Sequence, residues 1–347
     1  MPEINTKDYW NERYAAGGNS GAGSYGRLAE FKAGILNGFI ADHGIGDMAE
    51  LGCGDGNQLG LVKVDRYTGY DISAKAVELC SSRYRDDGTK KFKVYNPARP
   101  PKDKAELAVS LDVVYHLLED ETYSSYMRDL FAISGRFVAI YSCNTDSQAD
   151  IALHLHPHRF TDWVEGNLPD WTLCGYLPNR YPLLPESPDE TSFADFFFFS
   201  RNERIEPRYS CLFIPPDEAA AGLPDEEATE LMRIARECLD TRELGKSAEC
   251  LRRAAVNPKM RLQAFNALGA VLGALGRHSE AEDAMRAVLA RDSGNMQARI
   301  NLAKLYLTVG RWEDLNPFCR ELKFLRAKDA NVAVKWPHIA EKVANLG

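Results

Sequence analysis

From Met48 onward, apolar and polar positions alternate between strand-like and helix-like periods. Met48–Leu51 is a short apolar strand ending in glycines, and a helix is expected from about Asn57. Tyr67–Tyr70 reads as a second strand that ends at Asp71, with a helix from Ser73 to about Tyr84. Phe92–Tyr95 is a third strand, and Leu107–Leu111 a fourth, followed by a helix over 120–132. Arg136–Ser142, rich in β-branched and aromatic residues, is a fifth. Such alternation implies an α/β fold with a parallel sheet and crossover helices. Two more strands are expected near Trp171–Tyr176 and Phe193–Ser200. The segment between them, LPNRYPLLPESPDETS, offers no crossover helix, so the two should pair as an antiparallel hairpin. Ahead of all this, residues 1–46 read as polar-aromatic helices interrupted by the glycine patch GGNSGAGSYG, Gly17 to Gly26.

The pattern changes again after the last strand. Residues 206–224 read as a linker, and from 225 to 347 the chain becomes alanine- and leucine-rich amphipathic helix. Leu268-Gly269, Leu272, Gly276, Ala281, Met285 and Val288 recur at an offset of 34 residues as Leu302-Ala303, Tyr306, Gly310, Leu315, Cys319 and Leu322. A more degenerate unit spans about 227–258, with Gly245 at its turn. The spacing resembles a tetratricopeptide array. That resemblance implies an all-α domain which binds a partner protein or pairs protomers, and carries no chemistry.

Composition narrows the setting. Apolar residues make up 45% and charged residues 27%, as in globular proteins. The 42 basic and 50 acidic residues leave a formal charge of −8, which makes nucleic acid a poor default partner. Eight cysteines are scattered with no Cys-x-x-Cys pair, which suggests reduced thiols and a cytoplasmic location. No secretory signal core and no membrane span is expected.

The candidate chemistry centres on Glu50-Leu51-Gly52-Cys53-Gly54-Asp55-Gly56, at the end of the first strand. Glycines there let a ligand approach the backbone, and a helix start would add free N–H donors. Asp71, nineteen residues past Gly52, is placed to accept both hydroxyls of a ribose. A dinucleotide fingerprint needs its third glycine at position 57, which is Asn57.

The acidic-x-G-x-G-x-G pattern resembles the first motif of class I S-adenosylmethionine (SAM) methyltransferases. That resemblance implies a Rossmann-like sheet of five parallel strands closed by an antiparallel hairpin, over a core spanning 47–205. DYWNERY, GNSGAGSYGRLAEFK, ELGCGDGNQL, SLDVVYHLLED and HRFTDW further resemble a bacterial and viral family associated with surface-glycan loci and with methylation of sugar hydroxyls. It covers roughly residues 7–200.

The resemblance implies that Gly52, Cys53, Gly54 and Gly56 line the cofactor, with Asp71 on the ribose and Ile72 beside the adenine. Asn57 and Gln58 could cap the loop or touch the ligand, and Asn96 could meet the adenine amino group. Ser110, Leu111 and Asp112 end the fourth strand beside the reactive methyl. The glycine patch could close as a lid, with Tyr25 and Arg27 inward and Arg27 on the methionine carboxylate. Tyr9 and Trp10 could assist or simply pack. Asp112 and His116, four apart, are the candidate base and its orienting partner. His154, His156 and His158 with Arg159 could line the acceptor pocket. Alternatively, Asp112, His116 and His154 could hold a divalent metal. Phe160 and Trp163 suit either a sugar ring or a helix core. Rival expectations are a small-metabolite or protein acceptor, or a SAM-binding scaffold with partner-binding repeats.

Overall fold

The computed structural model describes residues 6–145, 155–184 and 187–311, apart from 202, 204, 207, 210 and 212–221, together with 314. Two helices come first, α1 (Thr6–Ala15) and α2 (Gly26–Asp42). The sheet elements follow as β1 (Asp47–Leu51), β2 (Arg66–Asp71), α3 (Ala74–Arg83), β3 (Lys90–Val94), β4 (Ala105–Leu111), α4 (Asp120–Ala132) and β5 (Ser134–Ser142). After α5 (Phe160–Asn167) come β6 (Thr172–Leu177) and β7 (Asp195–Ser200).

The seven strands form one sheet in the order β3-β2-β1-β4-β5-β7-β6. β1 to β5 run parallel, and β7 pairs antiparallel with β5. The central strands explain themselves. In β4, residues Leu107 to Leu111 are buried, and all four phenylalanines Phe196 to Phe199 of β7 are fully buried. A strand covered on both faces needs such a continuous run. The outer strand β3, in contrast, carries Lys90, Lys91 and Lys93, the charge that keeps a sheet edge from pairing further.

One expected element is absent. Residues after Asn57 form only a 3-10 turn, Gln58–Leu61, and no α-helix. Asp55 Oδ1 accepts the Asn57 N–H (2.9 Å), Gly60 interrupts the segment, and β2 already begins at Arg66. The interval is too short for a helix and its return. Elsewhere the expected boundaries hold to within a few residues. Ser73 caps α3 by accepting the Ala76 N–H.

Two compact units divide the chain: residues 1–160 with 185–206, and residues 161–184 with 207–347. The second unit therefore takes in 161–184, inside the span expected for the core. The expected linker contributes to this unit too: Tyr176 donates to the Tyr209 carbonyl (2.9 Å), and Cys211 to the Cys174 carbonyl (3.1 Å).

The rest of the second unit is α6 (Asp225–Asp240), α7 (Leu244–Ala254), α8 (Arg261–Ala274), α9 (His278–Arg291) and α10 (Met296–Val309), each packed on the next. A Cβ at Gly269 would lie 2.8 Å from Met285 Cγ, so glycine permits the close approach of α8 and α9. Gly276 (φ 73°) and Gly310 (φ 72°) end α8 and α10 in left-handed turns, as the 34-residue offset requires. Leu315, Cys319 and Leu322 of that pattern lie outside the described residues. Among the described residues all seven cysteines are free thiols, and no helix is long and apolar enough to cross a membrane.

Glu282 organises the last two helices. Its side chain is 10% exposed and pairs with Arg286, itself 8% exposed, and with Arg311. Tyr306 donates its hydroxyl to the same carboxylate (2.9 Å). Removing one partner of a buried pair strands the other charge. Glu282→Ala is therefore expected to cost about 3–5 kcal/mol, read as a lower urea midpoint. A loss within about 1 kcal/mol, the range of an exposed pair, would show that the network does not hold the helices together.

Candidate active site

One cavity in the first unit, partly open to solvent, encloses about 900 Å³ of space. Its floor is the carboxyl end of the parallel strands, where Gly52, Cys53, Gly54, Asp71, Ile72 and Leu111 line it. Open α/β sheets place ligands there.

The loop after β1 is held by its own hydrogen bonds. Gly52 and Cys53 both donate to the Tyr70 carbonyl (2.7 and 3.0 Å), and Gly54 donates to Asp71 Oδ2 (2.9 Å). Asp55 donates to Ser20 Oγ (2.9 Å), and Gly56 to the Cys53 carbonyl (3.2 Å). The free N–H donors expected of a helix start are thus already committed. Gly52 has φ 88°, and a Cβ there would lie 2.3 Å from Val113 Cγ2, so only glycine fits. Gly56 faces Cys80 of α3 and Tyr84 just beyond its end, and it is not among the residues that line the cavity.

The glycine patch closes over this loop through Asp55. The Asp55 carboxylate accepts the Ser20 N–H (3.1 Å) and the Tyr25 hydroxyl (2.7 Å). Asn57 Nδ2 donates to the Ser24 carbonyl (2.8 Å), and Tyr14 pairs with Ser20 (3.0 Å). Tyr25 and Asn57 are therefore fasteners at the rim and are not among the lining residues. Burial acts to raise the Asp55 pKa, but the Tyr25 hydroxyl and the Asn57 and Ser20 amides together hold it below the usual carboxylate value.

Asp112 has left-handed backbone (φ 59°), a conformation that Asp tolerates better than most residues. This turn carries its carboxylate to Lys32 Nζ (2.6 Å) and the Tyr115 hydroxyl (2.9 Å). Lys32 is 1% exposed, and its ammonium lies 5.3 Å from the Tyr141 ring centroid. A Cβ on Gly23 would lie 2.7 Å from Asp112 Oδ2, so the glycine patch covers this pair. His116 also lines the cavity, with its ring edge-on to Trp10 at 5.3 Å. Thr6 donates to the His116 carbonyl (3.2 Å), which ties α1 to this turn.

Several residues expected at the site lie elsewhere. Arg27 donates to the Glu190 carbonyl (2.6 Å) and pairs with the Glu190 carboxylate (3.4 Å), outside the cavity lining. Asn96 is exposed and accepts the Ala98 N–H (3.0 Å) in a turn before Pro97; Tyr95, one residue earlier, lines the cavity instead. Ser110 is fully buried and pairs with the Tyr126 hydroxyl (2.7 Å), because strand alternation sends it to the face opposite Leu111. His158 Nε2 donates to the Leu117 carbonyl (2.9 Å), and its ring stacks on Tyr123 (3.8 Å) and His156 (4.5 Å). His156 and Arg159 are likewise not among the lining residues. Phe160 is fully buried against Phe197. His154 lies outside the described residues. Among the described residues, no three His, Cys, Asp or Glu side chains come together as a metal-binding group.

Sequence reasoning misses Lys32, and it assigns no role to Glu50 and Asp55, although both stand in the glycine motif. Lys32 sits four residues after Leu28 and four before Leu36, on the buried stripe of α2, and a lysine on an apolar stripe is the signal that marks it. Glu50 is 4% exposed and accepts the Tyr67 hydroxyl (2.5 Å). Burial pushes Glu50 up to about 7, against the Tyr67 bond and the Lys32 charge. Asp71 is pushed up to about 6 by burial, against the amides of Ser73 and Gly54.

Residues 49–139 match the family model described as "Methyltransferase domain". No curated protein matches the chain. Among solved structures, the chain is similar to magnesium protoporphyrin IX methyltransferase (ChlM) from Synechocystis PCC 6803 with bound SAM. Identity is 16% over 58% of this chain and 100% of that one, with a TM-score of 0.40. It is also similar to N-methyltransferase NodS from Bradyrhizobium japonicum WM9 in complex with S-adenosyl-L-homocysteine. Here identity is 13% over 58% of this chain and 100% of that one, with a TM-score of 0.46.

A carboxyl whose pKa rises on folding stabilises the fold while protonated and loses that contribution as pH climbs. For Glu50 the contribution is full below pH 4.5 and gone above about 7; it amounts to about 3 kcal/mol at most. Glu50→Gln removes the titration, so its stability relative to wild type should grow between pH 5 and pH 8 in urea unfolding. A constant difference across that range would mean that Glu50 does not titrate in the folded cavity.

Proposed function

We propose that the methyltransferase domain of this chain, which takes SAM as cofactor, methylates a hydroxyl of a sugar or glycan intermediate in surface polysaccharide biosynthesis. The observation that carries the reading is one cavity that gathers an indole, an imidazole and a buried carboxylate–ammonium pair beside the β1 loop. SAM supplies an electrophilic methyl group on a cationic sulfur. Gly52, Cys53, Gly54, Asp71 and Ile72, which line the cavity, would hold it.

The chain's own residues then align and deprotonate the acceptor. A sugar hydroxyl is a poor nucleophile and gains from a base that takes its proton as the bond forms. His116 is the base in this reading. Asp112, already engaged by Lys32 and Tyr115, is a poorer base than its position in the sequence implied. Trp10 lines the cavity beside His116, where the C–H side of a sugar would lie. The Asp55 fastenings hold the glycine patch against the β1 loop. A divalent metal at Asp112, His116 and His154 is the weaker variant, because Lys32 already occupies Asp112 as its cation.

The helical repeats support a second part of the reading. The close contact at Gly269 and the turns at Gly276 and Gly310 fit a tetratricopeptide-like stack that holds a protein partner or a second copy of the chain. A protein acceptor delivered by that stack, or a small metabolite, is the alternative substrate. The reduced thiols fit a cytoplasmic location.

Titration of SAM by calorimetry tests the cofactor. Asp71→Ala should weaken binding on the order of 10- to 100-fold, the worth of a charged hydrogen bond; unchanged affinity would remove Asp71 from the site. With nucleotide sugars and rhamnose-containing glycans as acceptors, His116→Ala should lower kcat by about 10²–10⁴ with little change in KM for SAM. Wild-type kcat in that variant would rule out His116 as base.

A further inference from the structure

The outer edge of the sheet concentrates positive charge that the cavity does not use. From Arg83 to Lys104 stand eight basic and three acidic residues, a net +5 in a chain whose formal charge is −8. β3 is the outer strand, and the connection from it to β4, residues 95–104, contains no helix. Phe92 turns toward α3, with its ring against Tyr84 (5.6 Å) and Tyr67 (5.8 Å). Strand alternation sends Lys91 and Lys93 to the opposite face, and both are exposed.

The helix-free connection runs along that same face. Lys93 pairs with Asp103, and the Tyr70 hydroxyl donates to the same carboxylate (2.5 Å). These two bonds, with Lys91 adding its charge from farther off, hold the Asp103 carboxyl below its usual value. Lys90 and Lys104 donate to the carbonyls of Val64 (2.8 Å) and Ala132, which leave their charges uncancelled. Lys91, Arg99 and Lys102 are exposed, and their side chains form no hydrogen bond or ion pair among the described residues. Interleaved with them are Val94, 50% exposed, and the exposed Pro97, Ala98 and Pro100. Tyr95 lines the cavity between Val94 and this segment, so the surface adjoins the cavity wall.

Cations interleaved with small apolar groups on an open sheet face complement an anionic, partly apolar surface. Each basic side chain held at an anionic bilayer strengthens binding roughly fivefold. Apolar groups between them enter the headgroup layer, while lysine stems keep their charge at the phosphates. Single-stranded nucleic acid calls for exposed aromatic faces in a basic groove, whereas here Tyr70 is buried and Phe92 is stacked on Tyr84. An added strand is turned away by the same lysines. We infer that the open face of β3 and residues 96–104 form a docking surface for an anionic phospholipid bilayer, a peripheral contact that holds the cavity at the membrane surface. The rest of the chain is acidic on balance and is repelled by such a bilayer, so the contact is oriented.

Cosedimentation of the full-length chain with lipid vesicles tests the surface. Wild type should pellet with vesicles of equal parts phosphatidylcholine and phosphatidylglycerol, and stay in solution with phosphatidylcholine alone. Raising salt from about 0.1 M to about 1 M shortens the screening length from about 10 Å to about 3 Å and should release the protein. Lys91→Gln/Arg99→Gln/Lys102→Gln should weaken binding roughly 100-fold, with an unchanged urea midpoint. Arg236→Gln/Arg242→Gln/Lys246→Gln, which removes as much charge from exposed positions of the second unit, should bind as wild type does. If the first variant fails to fold, Lys91→Gln/Lys102→Gln takes its place, with an expected loss of roughly 25-fold. Equal pelleting with both kinds of vesicle, or with neither, would overturn the docking surface. Equal weakening in the two triple variants would reduce the effect to net charge and overturn it as well. Tighter binding to polyuridylate than to the anionic vesicles would give the face to nucleic acid instead.

Discussion

Keeping charge inside one cavity constrains every element around it. Glu50, Asp55, Asp71, Asp112 and Lys32 all line the same space, and each would be costly there without partners. The surrounding backbone and side chains answer group by group. Asp71 takes the amides of Gly54 and Ser73, Asp55 those of Ser20 and Asn57, Glu50 the Tyr67 hydroxyl, and Asp112 the Lys32 ammonium. The path of the glycine loop, the closure of the glycine patch and the position of α2 all follow from these bonds.

The same bonds divide the site's work. Carboxylates bonded by amides are fixed acceptors, suited to holding hydroxyls in place. The Lys32–Asp112 pair is a fixed dipole, with its orientation set by α2 on one side and the Asp112 turn on the other. The imidazole of His116 and the ring of Trp10 face the cavity from β4's exit and from α1, so the groups proposed to meet the acceptor come from segments distinct from the loop that meets the cofactor. Closing the patch with Ser20, Ser24 and Tyr25 joins the two sets, because Gly23 rests on Asp112 while its neighbours bind Asp55 and Asn57.

Much of the fold was legible because its determinants are local. Apolar runs marked β4, β5 and β7, the glycine turn marked the end of β1, and the absence of a crossover helix between the last two expected strands marked the closing hairpin. Where that reading failed, longer-range competition decided. The helix expected after Asn57 became a 3-10 turn because Asp55 takes the Asn57 amide and β2 starts too soon. Arg27 was expected inside and is held by Glu190, a residue more than 160 positions away that no local pattern could pair with it. Asn96 is spent on its own turn, and His158 on a ring stack and the Leu117 carbonyl, each a neighbour supplied by folding.

By itself, then, the sequence determined the strand and helix order, the glycine loop with Asp71 nineteen residues on, and the change to amphipathic helices after 225, because these depend on periodicity and on backbone conformations that only certain residues allow. Only the tertiary structure decided which polar side chains face the cavity. Lys32, on a helix that precedes the sheet, meets Asp112 at the end of β4, eighty positions later, and neither residue announces the other. The desolvation that makes Lys32 and Asp112 a pair, raises Glu50 and leaves Gln58 Oε1 without a partner exists only once the strands and α2 have closed around them.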